Sequence, residues 1–162
     1  MKIIPLSGRT QDREKYTHKI ILEYTDIDTS NATNDVVQIF PYDATPLAPT
    51  ATVPAGTVVR ACGMQLITAF AGNNAGVNPT GKITIGHGGV VNKYLASTEV
   101  HTYGTEVTHA VHPAANVPFI YTSADGIDLE FKGVNVNCDE LTAGKLEIYL
   151  EIGSHLKLDE VK

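Results

Sequence analysis

His109 and His112 form an HxxH pair in the segment EVTHAVHP, with His87 and His101 upstream. Two such imidazoles are half of a metal site, but the surrounding sequence reads as strand, where positions three apart point to opposite faces. A zinc site also needs a third and a fourth ligand, with partners that orient them. The pair is therefore read as surface or hydrogen-bonded histidines, and no metal ligand is assigned. A cupin-like metal enzyme on a β-sandwich would require His109 or His112 to converge with His87 and a carboxylate.

The other chemistry-bearing stretches give equally little. Ile85-Gly86-His87-Gly88-Gly89 has the glycines of a phosphate cradle, but lacks the following lysine and a helix whose N-terminus would face the phosphate. A strand-to-strand turn needing positive φ accounts for the glycines. Asp125, Asp128 and Glu130, like Asp26, Asp28 and Asp35, lack the spacing of a calcium loop; Asp125-Gly126 reads as a hairpin turn. Ser7, Ser30, Ser97, Ser123 and Ser154 have no nucleophile-elbow context. Glu147 and Glu151 lie on the outward face of a strand, without the apolar surroundings that raise a catalytic pKa. No catalytic or cofactor-binding residue is assigned, and the chain is read as a non-enzyme without cofactors. Cys62 and Cys138 are far apart and have no metal-ligand spacing. They read as small buried hydrophobes in a reducing compartment, and spacing alone leaves a disulfide open.

Composition narrows the partners. The 162 residues suit one domain, only 19% are charged, and the formal net charge is −6. Twelve scattered basic residues argue against a nucleic-acid surface or an anionic membrane surface. No apolar run reaches the roughly 18–20 residues of a membrane helix. MKIIP is too short for a secretory apolar region, so synthesis and folding in the cytoplasm are expected, and Asn31-Ala32-Thr33 reads as an ordinary turn.

The elements that would position these residues are strands. Val53–Phe70, opened by the turn Pro54-Ala55-Gly56, is a long apolar run without helical period and is expected as the central buried strand. Val58, Cys62, Met64, Leu66 and Phe70 would share a face, with a bulge or close backbone approach at Gly63. Lys19–Thr25, Val36–Phe40, Lys82–Ile85, Glu106–Val111, Pro118–Thr122, Ile127–Phe131 and Leu146–Ile152 read as further strands. Ala96–Val100 suits either a helical turn or an extended piece. Prolines at 41, 46, 49 and 54 leave only a surface connection, with an edge piece near Thr50–Val53. About eight to ten strands with Gly/Pro/Asn loops predict an all-β fold, an antiparallel β-sandwich of jelly-roll type. Residues 1–16 are expected as an N-terminal arm, 17–153 as the sandwich, and 154–162 as a charged C-terminal tail.

The chain resembles a recurring type of small virion protein of tailed bacteriophages. The resemblance runs over about residues 17–152, through PAGTVV leading to ITAFAG, then ITIGHGGVVNKYL, IYTSADGIDLEF and LTAGKLEIYLEI. The most similar members are capsid decoration (cement) proteins, with head-fibre and tail-associated proteins alongside. The resemblance implies a homotrimer made in the host cytoplasm. It would bind the outer surface of an assembled head, contact the major capsid protein and stabilise it, with residues 1–16 reaching across a neighbouring subunit. No other partner-binding residues are assigned. The alternative reading is a tail- or fibre-associated module that binds host-surface glycan. With no Trp present, its rings would be Tyr42, Tyr94, Tyr103 and Tyr121.

Overall fold

The computed structural model describes residues 1–5, 16–27, 33–41, 52–72, 80–101, 118–134 and 136–154. Nine strands lie in these segments: β1 Lys2–Pro5, β2 His18–Glu23, β3 Asn34–Phe40, β4 Thr57–Gly72, β5 Thr80–His87, β6 Val90–Glu99, β7 Phe119–Ile120, β8 Ile127–Val134 and β9 Leu141–Ser154. They form a five-stranded sheet in the order β1-β2-β9-β4-β7 and a four-stranded sheet in the order β3-β8-β5-β6. Every pairing is antiparallel. Four of the pairs nest: β5 with β6, then β4 with β7, β3 with β8, and β2 with β9. The only helical pieces among the described residues are single 3-10 turns at Tyr24–Asp26 and Cys138–Glu140. None is long and apolar enough to cross a membrane.

Period-two alternation produces the core. Ile20 and Leu22 on β2, Leu146, Ile148 and Leu150 on β9, and Ile127, Leu129 and Phe131 on β8 are all fully buried. They belong to one cluster with Ile39, Met64, Ile83, Ile85 and Leu95, so both sheets cover the same core, an arrangement compatible with a β-sandwich. Aromatic contacts cross between the sheets, Phe70 to Phe131 at 5.6 Å and His18 to Phe40 at 4.9 Å. Cys62 and Cys138 are both buried thiols, and burial pushes the Cys62 thiol up to about 12.

The long apolar run does form a strand, but β9 and not β4 is the middle strand of its sheet. The bulge expected at Gly63 is not there, because Gly63 pairs regularly with Tyr149. β4 instead carries an extra residue between Val59 and Ala61, and another between Leu66 and Thr68. These are Arg60 and Ile67, both exposed. Each insertion shifts the alternation by one, so Val59 and not Val58 joins Cys62 and Met64 in the core cluster. Further along, Phe70 lies over Gly144, whose φ of +150° and lack of a side chain make room for the ring.

Other expectations are met with altered bounds. Pro118–Thr122 contributes only the two-residue β7, and Ala96–Glu99 is extended as part of β6. Val53 forms a single bridge to Asp125. Within the expected arm, Lys2–Pro5 is already the edge strand of a sheet, paired with β2. Ser154, expected as the start of the tail, still belongs to β9, whereas residues 6–15, the strand expected over Glu106–Val111, most of the Pro-rich connection and residues 155–162 lie outside the described residues.

The outward face of the five-stranded sheet is closed by short polar pairs. Lys19 lies 2.5 Å from Glu147 and Lys145 lies 2.9 Å from Glu23, while the Tyr149 hydroxyl donates to Glu147 at 2.6 Å. Burial works to raise the Glu147 carboxyl, but the hydrogen bonds from Lys19 and Tyr149 prevail and hold it below its ordinary value.

Candidate functional site

The densest meeting of titratable and aromatic groups lies at the β5–β6 hairpin. The chain reverses through Gly88-Gly89, between the paired residues His87 and Val90. Gly86 is required there by space: a Cβ on it would overlap the Val90 carbonyl oxygen and the Val91 backbone. Positive φ, the reason expected for these glycines, is found among the described glycines only at Gly56 and Gly144. At Gly86 the crossing backbone excludes a side chain as firmly as a left-handed turn would.

This close crossing holds His87 against the opposite sheet. Its ring stacks on Phe119 at 4.9 Å with 15° between planes, and Tyr121 meets it edge-on at 5.9 Å. Lys93 sits 5.1 Å from the centre of the Phe119 ring. His87 Nδ1 accepts from the Gly89 N–H at 3.3 Å and lies 3.4 Å from Asp125 Oδ2. These two contacts are chemical alternatives, because a proton on Nδ1 would turn the nitrogen from acceptor for Gly89 into donor for Asp125.

Beneath the imidazole runs a buried polar chain. The Tyr94 hydroxyl donates to Tyr121 at 2.9 Å, and Tyr121 donates to the Gly126 carbonyl at 3.0 Å. Burial raises both phenols, Tyr121 to about 12 and Tyr94 well above the ordinary tyrosine range. Both therefore stay protonated at neutral pH and act as hydrogen-bond donors and not as proton donors. Asp128, on the next strand, is pushed up to about 6 by burial and by Asp125, against the pull of His87. Together these groups join β6 of one sheet to the segment following β7 of the other.

Tyr94 and Tyr121, expected as rings at an edge or loop, are thus 0% and 3% exposed and offer no platform to a sugar. They face inward because their hydroxyls find partners inside. Tyr42, Tyr103, His109 and His112 lie outside the described residues. His101 Nδ1 lies 3.2 Å from the Gly81 carbonyl. Among the described residues, no three of His, Cys, Asp and Glu come together as a metal would require. Asp125 serves the hairpin tip, where its carboxylate lies beside Gly88.

Sequence reasoning did not single out Phe119 or Lys93, nor a polar groove on the outward face of the four-stranded sheet. The alternation of Lys82 with Thr84, and of Glu130 with Lys132, was the available signal for the groove.

The described residues define an all-β domain of two antiparallel sheets. Compared with known proteins, the chain matches no protein-family model, no curated protein and no solved structure.

Proposed function

We propose that this chain is a non-enzymatic virion structural protein of a tailed bacteriophage, a decoration protein that binds the outer capsid surface and stabilises it. The observation that supports this reading is the nested pairing of β2 with β9, β3 with β8, β4 with β7, and β5 with β6. An eight-strand ribbon folded at the β5–β6 turn and rolled so that alternate pairs fall in opposite sheets is a jelly roll, an architecture used by viral capsid and lectin domains. Fold alone does not assign function. The sequence resemblance supplies the rest.

In this reading β1 is the base of the N-terminal arm. Its outer edge has no neighbouring strand among the described residues, and a strand of the major capsid protein or of a second copy would pair there. A homotrimer engaging three such contacts gains by effective concentration what a single short strand lacks. The net charge of −6 keeps the protein soluble at high copy number in the host cytoplasm before it joins the virion.

Sedimentation velocity of the purified protein, alone and with expanded empty heads, tests the reading. A stable trimer that co-sediments with heads at stoichiometric copy number is expected. A monomer that stays in the supernatant overturns the proposal.

A further inference from the structure

The groove on the outward face of the four-stranded sheet encloses about 270 Å³ and is lined by Lys82, Thr84, Asn92, Ser97, Glu130 and Lys132, with Val91 beside them. Alternation creates it: Lys82 and Thr84 point away from buried Ile83 and Ile85, and Glu130 and Lys132 point away from buried Leu129 and Phe131. The β5–β8 register sets Lys82 opposite Lys132 and Thr84 opposite Glu130.

Two ammonium groups facing each other across paired strands repel. Among the described residues each has a slack counter-ion, Glu99 at 3.8 Å from Lys82 and Glu130 at 3.7 Å from Lys132. On the other sheet Lys19–Glu147 and Lys145–Glu23 close to 2.5 and 2.9 Å, while Arg60–Glu151 stays at 3.8 Å. The lysine side chains stay 45% and 63% exposed, while Glu130 is only 14% exposed. Its second oxygen faces the Thr84 hydroxyl at 3.5 Å, too long for a strong bond.

We propose that this groove binds a polyhydroxylated carboxylate, a sugar acid of the uronic or sialic type. Lys82 and Lys132 take the carboxylate, Glu130 accepts from ring hydroxyls, and Thr84, Asn92 and Ser97 bond the remaining oxygens. A bare anion such as phosphate meets the same repulsion from the recessed Glu130 carboxylate without the ring hydroxyls that offset it. A neutral sugar leaves the lysine pair uncompensated and finds no aromatic ring in the lining on which to stack. The volume lies just below that of pockets for drug-sized ligands and suits a single sugar ring. This site goes beyond capsid binding and does not depend on it.

The test is a two-dimensional NMR titration of the full chain with glucuronic acid, N-acetylneuraminic acid, glucose and inorganic phosphate. The sugar acids are expected to move the amide signals of Thr84, Asn92 and Ser97 with millimolar affinity, and to bind more weakly as salt rises. Lys82→Ala and Lys132→Ala should each weaken them about tenfold, as loss of a charge-assisted bond does. Lys145→Ala on the other sheet should change nothing. Glu130→Gln should weaken the sugar acids and strengthen phosphate. The lysine side chains are at the surface, and unshifted signals elsewhere report an intact fold in every variant. Absence of shifts at the groove, glucose or phosphate binding as well as the acids, or lysine variants that bind undiminished would each overturn the proposal. Co-sedimentation with heads is unaffected by any of these results, so the two proposals fail separately.

Discussion

Tyr94 and Tyr121 share a hydrogen bond of 2.9 Å between hydroxyls, one carried by β6 of the four-stranded sheet and the other by the segment that follows β7 of the five-stranded one. The bond is directional, since the Tyr121 hydroxyl donates its own hydrogen bond to the Gly126 carbonyl. Removing the two hydroxyls should therefore have unequal effects. Tyr121→Phe removes both the acceptor for Tyr94 and the donor to Gly126 and should cost about 2 kcal/mol, whereas Tyr94→Phe leaves the bond to Gly126 in place and should cost about 1 kcal/mol. Urea denaturation of both variants checks the order; equal losses would mean that the chain does not run in this direction.

The hairpin glycines make a steric prediction. Gly86→Ala forces a methyl into the Val90 carbonyl, and backbone cannot swing aside as a side chain does. A loss of about 2–4 kcal/mol is expected, in the range of overpacking and backbone strain. Gly89→Ala, whose methyl would meet only the His87 ring at an ordinary 3.5 Å, should cost far less. Thermal denaturation of the pair decides whether space sets the residue at position 86.

Asp128 makes stability depend on pH. Its folded pKa of about 6 lies above the ordinary aspartate value of about 3.9, so the folded state holds the proton more tightly than the unfolded chain does. Its contribution is present below about pH 4 and is lost as pH rises to about 6. Asp128→Asn removes that loss, so the variant should gain on the natural protein across this window and keep the gain above it. Denaturation midpoints of both proteins at about pH 4 and about pH 7.5 provide the comparison. A difference that does not grow with pH would place Asp128 in water.

His18 acts in the opposite sense. Burial lowers its pKa below the ordinary histidine value, so the stability it contributes is present near neutrality and lost as pH falls through the folded pKa. His18→Phe, beside the Phe40 ring at 4.9 Å, should flatten the acid limb of the stability profile. An unchanged acid limb would show that the imidazole is solvated in both states.

The middle of the five-stranded sheet gives a packing prediction. Leu150 is fully buried and pairs with His18 on one side and Cys62 on the other. Leu150→Ala should cost about 2–5 kcal/mol, and a negligible loss in chemical denaturation would put the register in error.

Much of the scaffold could be read from period-two alternation alone. Leu146, Ile148 and Leu150, and likewise Ile127, Leu129 and Phe131, announce both the strand and its inner face. The bulges at Arg60 and Ile67 could not be read this way, because a bulge exists only relative to the partner strand. Ala96-Ser97-Thr98-Glu99 is neutral between helix and strand, and pairing with β5 decides it. The joint around His87 draws on residues from 87 to 128 and on both sheets, so no local spacing marks it. The same holds for the groove: an outward polar face was legible at Lys82 and Glu130, but a hollow between neighbouring strands was not.

The position of β9 has a consequence for the order in which the molecule can be made. β9 lies between β2 and β4, yet it follows every other described strand in the chain. A nascent chain that has not passed Leu141 carries β2 and β4 with no common neighbour to bind them. The β5–β6 pair, by contrast, closes through its own turn, and β8, the other neighbour of β5, precedes β9 in the chain. During synthesis the four-stranded sheet can therefore assemble while the five-stranded one waits, its apolar strands uncovered, for the segment that joins them.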